Sequence, residues 1–96
     1  MLENELQKKL AKYRALTQKA LKKVKLAKSL SEKELKIAQD FLEMCQNYFA
    51  DACYFQEKGE LLTALAAFSY AHAWLDAGVR AGLFKATDRK LFTLPK

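Results

Sequence analysis

Residues that interrupt helices are absent from the first 58 positions of this 96-residue chain. The only proline is Pro95, and the glycines are Gly59, Gly78 and Gly82. Proline removes a backbone donor and glycine weakens a helix interior, so little in the first half of the chain would end a helix. The chain is therefore expected to be all-α and to form a single helical-bundle domain over residues 1–96.

An apolar seam marks the first helix. Its members recur at alternating steps of four and three, which is typical of one buried face of a helix over about 3–28: Leu6, Leu10, Tyr13, Thr17, Ala20, Val24 and Ala27. Five lysines fall on the opposite side: Lys8, Lys12, Lys19, Lys22 and Lys23.

The second helix has a clear start and a clear end. Ser31 followed three residues later by Glu34 is the pattern of a capping box, in which each residue satisfies a backbone donor of the other. Gly59 suits the left-handed position that follows a helix. The second helix is therefore predicted at about 32–58.

The third helix, predicted at about 60–84, is apolar nearly all round. One seam contains Leu61, Leu65, Phe68, His72, Leu75 and Val79, and a second, well separated around the helix, contains Thr63, Ala67, Tyr70, Trp74, Ala77 and Ala81. Such a helix is either central in its domain or covered by another chain. The whole pattern predicts a three-helix antiparallel bundle, with a short extended C-terminal tail whose Leu91, Phe92 and Leu94 pack onto it. No sheet is expected.

Several environments are disfavoured by the sequence. Cys45 and Cys53 lie eight residues apart on one helix, a rise of about 12 Å that a disulfide does not span. No signal segment opens the chain, so a reducing cytoplasm is expected. The long apolar run of helix three contains His72 and Asp76, which argues against a membrane span.

His72, Asp76 and Arg80 form the one candidate polar site, because they follow one another at helical spacing. One interpretation is a base or a ligand pair, and the other is a half-buried structural ladder. No Gly-rich phosphate loop, paired-cysteine zinc pattern or His-Glu-x-x-His accompanies them. We therefore expect no enzyme, no catalytic residue, no metal and no cofactor, with a site around His72 and Asp76 as the one exception.

Two binding functions stay open. The preferred hypothesis is a non-enzymatic protein-interaction module, through self-association or a protein partner, with an interface on helix three at Tyr70, Trp74, Ala77 and Ala81. The alternative is an RNA-binding accessory protein that uses Lys8, Lys12, Lys19, Lys22 and Lys23. Residues 1–30 hold nine Lys or Arg against two acidic residues, which favours a polyanion there.

The segment His72–Phe84, with the sequence HAWLDAGVRAGLF, resembles the signature of an archaeal family of short helical proteins, domain of unknown function 357. The tail segment 88–93, DRKLFT, is similar to that family's ending. The resemblance implies an archaeal cytoplasmic protein with a helical-bundle fold. It implies no activity.

Overall fold

The computed structural model describes residues 2–86, 88, 91 and 92. Their elements follow in the order α1 (Leu2–Lys23), β1 (Lys25–Leu26), α2 (Glu32–Glu57), α3 (Leu61–Arg80) and β2 (Phe84–Lys85). The all-α prediction and the number of helices are confirmed. None of the described helices combines the length and the hydropathy that a membrane crossing requires.

Local hydrogen bonds explain where α2 begins. The backbone amide of Glu34 donates to the Ser31 hydroxyl over 3.1 Å, and the Ser31 amide donates to Oε1 of Glu34 over 3.0 Å. The capping box is confirmed. The bond from the Ser31 backbone amide is the larger cause that holds the pKa of the Glu34 carboxyl below its ordinary value, and the Ser31 side chain lowers this pKa further.

Glycine ends both α2 and α3 with the same hydrogen-bond pattern. Gly59 and Gly82 have φ angles of 80° and 76°, in the left-handed region that glycine enters without a steric penalty. The amide after each glycine reaches back five residues, from Glu60 to Phe55 over 3.0 Å and from Leu83 to Gly78 over 2.9 Å. This Schellman pattern satisfies carbonyls that a helix end leaves without donors.

The three helices run up, down and up, with α3 packed against both of the others. Along the contact between α2 and α3, residue numbers decrease on α2 as they increase on α3: Phe49 packs against Phe68, and Phe41 packs against Trp74. Those helices are therefore antiparallel. Helices α1 and α3 run in the same direction. Leu10 lies in one core cluster with Phe68, and the later residue Thr17 contacts the later residue His72.

The core has two connected parts along the bundle. A smaller cluster near the α2–α3 turn is formed by Leu10, Ala52, Ala64 and Phe68. A larger cluster toward the other end gathers side chains from all three helices and from the tail: Ala20, Ala38, Cys45, Ala71, Leu75, Val79, Leu83, Phe84, Leu91 and Phe92. The first seam predicted for helix three supplies much of this core.

The structure corrects the expectation of no sheet and shortens two helices. Lys25 pairs with Lys85, and Leu26 with Phe84, in a two-stranded antiparallel ladder. The amide of Ala27 donates to the Leu83 carbonyl over 2.9 Å, which continues the pairing. Helix α1 therefore ends at Lys23 rather than near 28, because the backbone of the next residues bonds to the segment after α3. Helix α3 ends at Arg80 rather than near 84, because Gly82 turns the chain.

The C-terminal tail packs onto the bundle as expected for two of its three apolar residues. Leu91 and Phe92 are buried, and their amides both donate to the Asp88 carbonyl, so this part of the tail forms a turn rather than an extended segment. Leu94, the third residue, lies outside the described residues.

Candidate functional site

The solvent side of α3 is the most unusual surface of the bundle. Eight of its twenty residues are exposed, and Arg80 is the only one of the eight that carries a charge. We name this surface the outer face of α3; it consists of Leu62, Thr63, Ala66, Ser69, Tyr70, Ala73, Ala77 and Arg80. By contrast, the exposed sides of α1 and α2 carry many charged residues.

The structure separates the four residues predicted for a partner interface. Ala77 and Ala81 are exposed, and the Tyr70 side chain keeps 50% of its surface open. Trp74 instead packs edge-on against Phe41 of α2. Its indole Nε1–H is buried and meets no acceptor among the described residues. Trp74 therefore belongs to the contact between α2 and α3, while the other three residues face solvent.

A groove borders the outer face where α3 meets α2. It has a volume of about 340 Å³ and is lined by Tyr48, Asp51, Phe55, Thr63, Ala66, Ala67 and Tyr70. The rings of Tyr48 and Tyr70 meet edge-on, with their centroids 4.4 Å apart, which is a favourable aromatic contact. Tyr70 thus lies between the groove and the exposed alanines Ala73 and Ala77.

The predicted polar ladder is only partly formed. Oδ1 of Asp76 lies 4.0 Å from Nε2 of His72, but Arg80 is exposed and makes no ion pair with any described residue. His72 reaches two groups that the sequence analysis did not connect with it. Its Nδ1 lies 3.1 Å from the Thr17 hydroxyl, and its Nε2 lies 2.5 Å from the Leu91 carbonyl oxygen.

Through these contacts His72 links α1 and the C-terminal tail to α3. The Leu91 carbonyl only accepts, so Nε2 donates to it, and Nδ1 lies within hydrogen-bond distance of the Thr17 hydroxyl. Both ring nitrogens therefore have a hydrogen-bond partner within the bundle. The signal that sequence reasoning overlooked is Thr17 itself, a threonine in an otherwise apolar seam, where its buried hydroxyl needs a partner.

Metal and thiol chemistry find little support in the part of the chain that the structure describes. No group of three or more His, Cys, Asp or Glu side chains there could hold a metal ion. Cys45 and Cys53 are both free thiols. Burial raises the pKa of the Cys45 thiol to about 12, which keeps it protonated and unreactive at neutral pH.

The five lysines predicted as a polyanion site do share one side of α1. All are exposed, and at 3.6 residues per turn they fall within an arc of about 100°. Lys22 and Lys23 also line a cleft beyond the last turn of α1. Lys8, Lys12 and Lys19 are not among its lining residues.

Comparison with known proteins places this fold in a family. A family model described as a protein of unknown function, DUF357, matches residues 12–84. The chain belongs to the DUF357 family. The crystal structure of protein AF1782 from Archaeoglobus fulgidus, which the same family model describes, is 26% identical, with a TM-score of 0.73. The alignment covers 91% of this chain and 100% of that one. No curated protein matches the chain.

DUF357 membership confirms the resemblance carried by residues 72–84, and the structure explains part of that segment physically. Gly78 lies beneath the ring of Phe84, and a β-carbon there would overlap the ring. Gly82 supplies the positive φ angle at the end of α3. The match stops at residue 84, so the similarity of residues 88–93 to the family's ending stays a prediction.

Proposed function

We propose that this DUF357 protein is a non-enzymatic helical interaction module that pairs with a second copy of itself through the outer face of α3. The observation that carries the proposal is the exposure of eight α3 residues with one charge among them. Leu62 is 73% exposed and Tyr70 is 50% exposed, so the surface contains large apolar groups as well as alanines. Contiguous surfaces of this kind are usually covered by another protein.

The residue types on this face suit a close helix–helix contact. Alanine and serine allow two helix backbones to approach, while a tyrosine held by its neighbours loses little conformational freedom on binding. Tyr70 is held by Tyr48 on one side and by Trp74 on the other, with ring centroids 6.2 Å apart in the second pair. Aromatic residues in fixed positions are typical anchors of protein interfaces.

A second copy fits because the face is complementary to itself. A two-fold axis midway between Tyr70 and Ala73 would place each tyrosine ring against the alanine of the other chain. The same axis would pair Ala66 with Ala77, and Arg80 with the uncharged Thr63. Large side chains then meet small ones, and the two arginines lie at opposite ends. In an antiparallel pair of α3 helices, the side chains are therefore complementary in size and the like charges are kept apart.

Sedimentation velocity tests this proposal with two matched variants. Ala73→Glu places a carboxylate at the centre of the outer face, and Ala50→Glu makes the same change on the exposed side of α2. We expect the unchanged chain and Ala50→Glu to sediment as dimers at micromolar concentration, and Ala73→Glu to sediment as a monomer. A monomeric unchanged chain, or equal dissociation of both variants, would contradict the proposal.

One observation favours RNA binding as a second candidate function. The lysines of α1 share one exposed face, and several successive turns of a helix can follow a phosphate backbone. Binding of generic RNA would then weaken steeply as salt rises. Reversal of Lys8, Lys12 and Lys19 to glutamate should abolish it, whereas reversal of Lys33 and Lys36 on α2 should not. No binding at low salt, or equal loss in both variants, would remove this candidate.

A further inference from the structure

The end of the bundle that carries the two short strands contains a basic cleft. Its volume is about 600 Å³, and its lining comes from the last turn of α1, from both strands and from the tail: Lys22, Lys23, Lys25, Lys85, Ala86, Asp88 and Phe92. Two segments about sixty positions apart in the sequence thus bring four lysines to one cavity. The outer face of α3 contributes no residue to this lining.

The strand register opposes two of these lysines directly. Lys25 and Lys85 are partners in the antiparallel ladder, so their side chains extend from the same side of it. Like charges in directly opposite positions destabilise a strand pair. The register is fixed on the other side by Phe84, which is buried against Gly78. Core packing therefore holds Lys25 and Lys85 in a pairing that like charges disfavour.

The charge of the cleft is only partly compensated within its lining. Among the described lining residues, four lysines face one carboxylate, that of Asp88, whose Oδ2 lies 3.6 Å from Nζ of Lys23. Lys22 and Lys23 have an ordinary structural explanation, since cations in the last turn of a helix stabilise its dipole. Lys25 and Lys85 lie outside that helix, so the dipole does not account for them.

We infer that this cleft is a binding site for a phosphate-bearing ligand with at least two negative charges. Lysine ammonium groups bind phosphate as point charges, and an anion between Lys25 and Lys85 would convert their repulsion into attraction. The cavity has the size of small-molecule sites, which span about 300–1,000 Å³. The inference does not depend on pairing through α3, because the two surfaces share no residue.

Titration with inorganic pyrophosphate at low salt, followed by amide chemical shifts, tests the site. We expect the largest shifts at residues 22–25 and 84–86. The double variant Lys25→Gln, Lys85→Gln should weaken pyrophosphate binding about tenfold or more, because it removes two charged contacts between lysine and phosphate. The matched variant Lys33→Gln with Lys36→Gln, on α2 and outside the described lining of the cleft, should bind within about twofold of the unchanged chain.

Two further measurements keep the result interpretable. The melting temperature of the Lys25→Gln, Lys85→Gln variant should equal or exceed that of the unchanged chain, because the opposed charges are gone.

An RNA oligonucleotide with a 5′-phosphate, compared with its 5′-hydroxyl form, identifies the source of the phosphate. Stronger binding of the phosphorylated form, with competition by pyrophosphate, indicates a nucleic-acid end, whereas pyrophosphate binding without that difference indicates a small phosphorylated molecule. No shifts with millimolar pyrophosphate, or equal weakening in both variants, would overturn the inference.

Discussion

Trp74 packs edge-on against Phe41, with their ring centroids 5.0 Å apart, while the preceding residue, Ala73, is exposed. The two neighbours therefore respond differently to the same substitution. Trp74→Glu should lower the free energy of unfolding by about 3 kcal/mol or more, since it removes a large packed ring and buries a charge. At concentrations low enough for both chains to be monomeric, Ala73→Glu should change it by about 0.5 kcal/mol or less.

Urea unfolding monitored by circular dichroism measures both changes. Equal losses of stability at the two positions would show that Trp74 is not part of the α2–α3 contact. The difference also decides which variant can test pairing. Glutamate at Trp74 would disturb the fold itself, so the loss of an oligomer in that variant would carry no information about the surface.

Gly78 and Phe84 provide the second prediction. Alanine normally stabilises a helix interior relative to glycine by about 1 kcal/mol. At Gly78 its methyl group would overlap the Phe84 ring, and overpacking costs about 1–3 kcal/mol. Gly78→Ala should therefore lower the melting temperature, and the same change in a Phe84→Ala background should be neutral or stabilising. A higher melting temperature for Gly78→Ala alone would contradict this packing.

The third prediction concerns the histidine that joins α1 to the tail. His72→Phe removes both hydrogen bonds and leaves the buried Thr17 hydroxyl without its partner, at a cost of about 1–3 kcal/mol. The amides of Leu91 and Phe92 should then exchange faster with solvent. Adding Thr17→Val should recover part of the loss, because the orphaned hydroxyl disappears. Strictly additive losses would show that Thr17 and His72 are not coupled.

The contacts of His72 also show where sequence reasoning stops. The caps at Ser31, Gly59 and Gly82 are local patterns, and the helices between them could be predicted from apolar spacing alone. The end of α1 could not, because Val24 and Ala27 continue the helical spacing while their backbone turns toward residues 83–85, nearly sixty positions later. Such pairings depend on which segments the packed helices bring together.

The candidate surfaces were predictable to a similar degree. The lysine positions on α1 and the second seam of α3 could be predicted from helical periodicity. Periodicity does not say which aromatic residue of that seam faces α2, so Tyr70 and Trp74 were indistinguishable until the α2 rings were located. The basic cleft could not be predicted from the sequence, because Lys25 and Lys85 become neighbours only through the strand pair.

The fourth prediction follows from the raised pKa of Cys45. In the unfolded chain this thiol ionises near pH 9, whereas in the fold it keeps its proton to about pH 12. Unfolding therefore releases a proton between these values, and stability falls as the pH rises above about 9. Between pH 8 and 10 the melting temperature of the unchanged chain should fall further than that of the Cys45→Ala variant. An identical loss in both proteins would contradict a buried Cys45 thiol.

The most direct test of the proposed function is an isotope-filtered nuclear Overhauser measurement on a mixture of labelled and unlabelled chains. Only contacts between two copies give signals in such a spectrum. We expect signals from the Tyr70 ring to the methyl group of Ala73 in the other chain, and between the methyl groups of Ala66 and Ala77. Intermolecular signals from other surfaces, or none at concentrations well above micromolar, would contradict pairing through the outer face of α3.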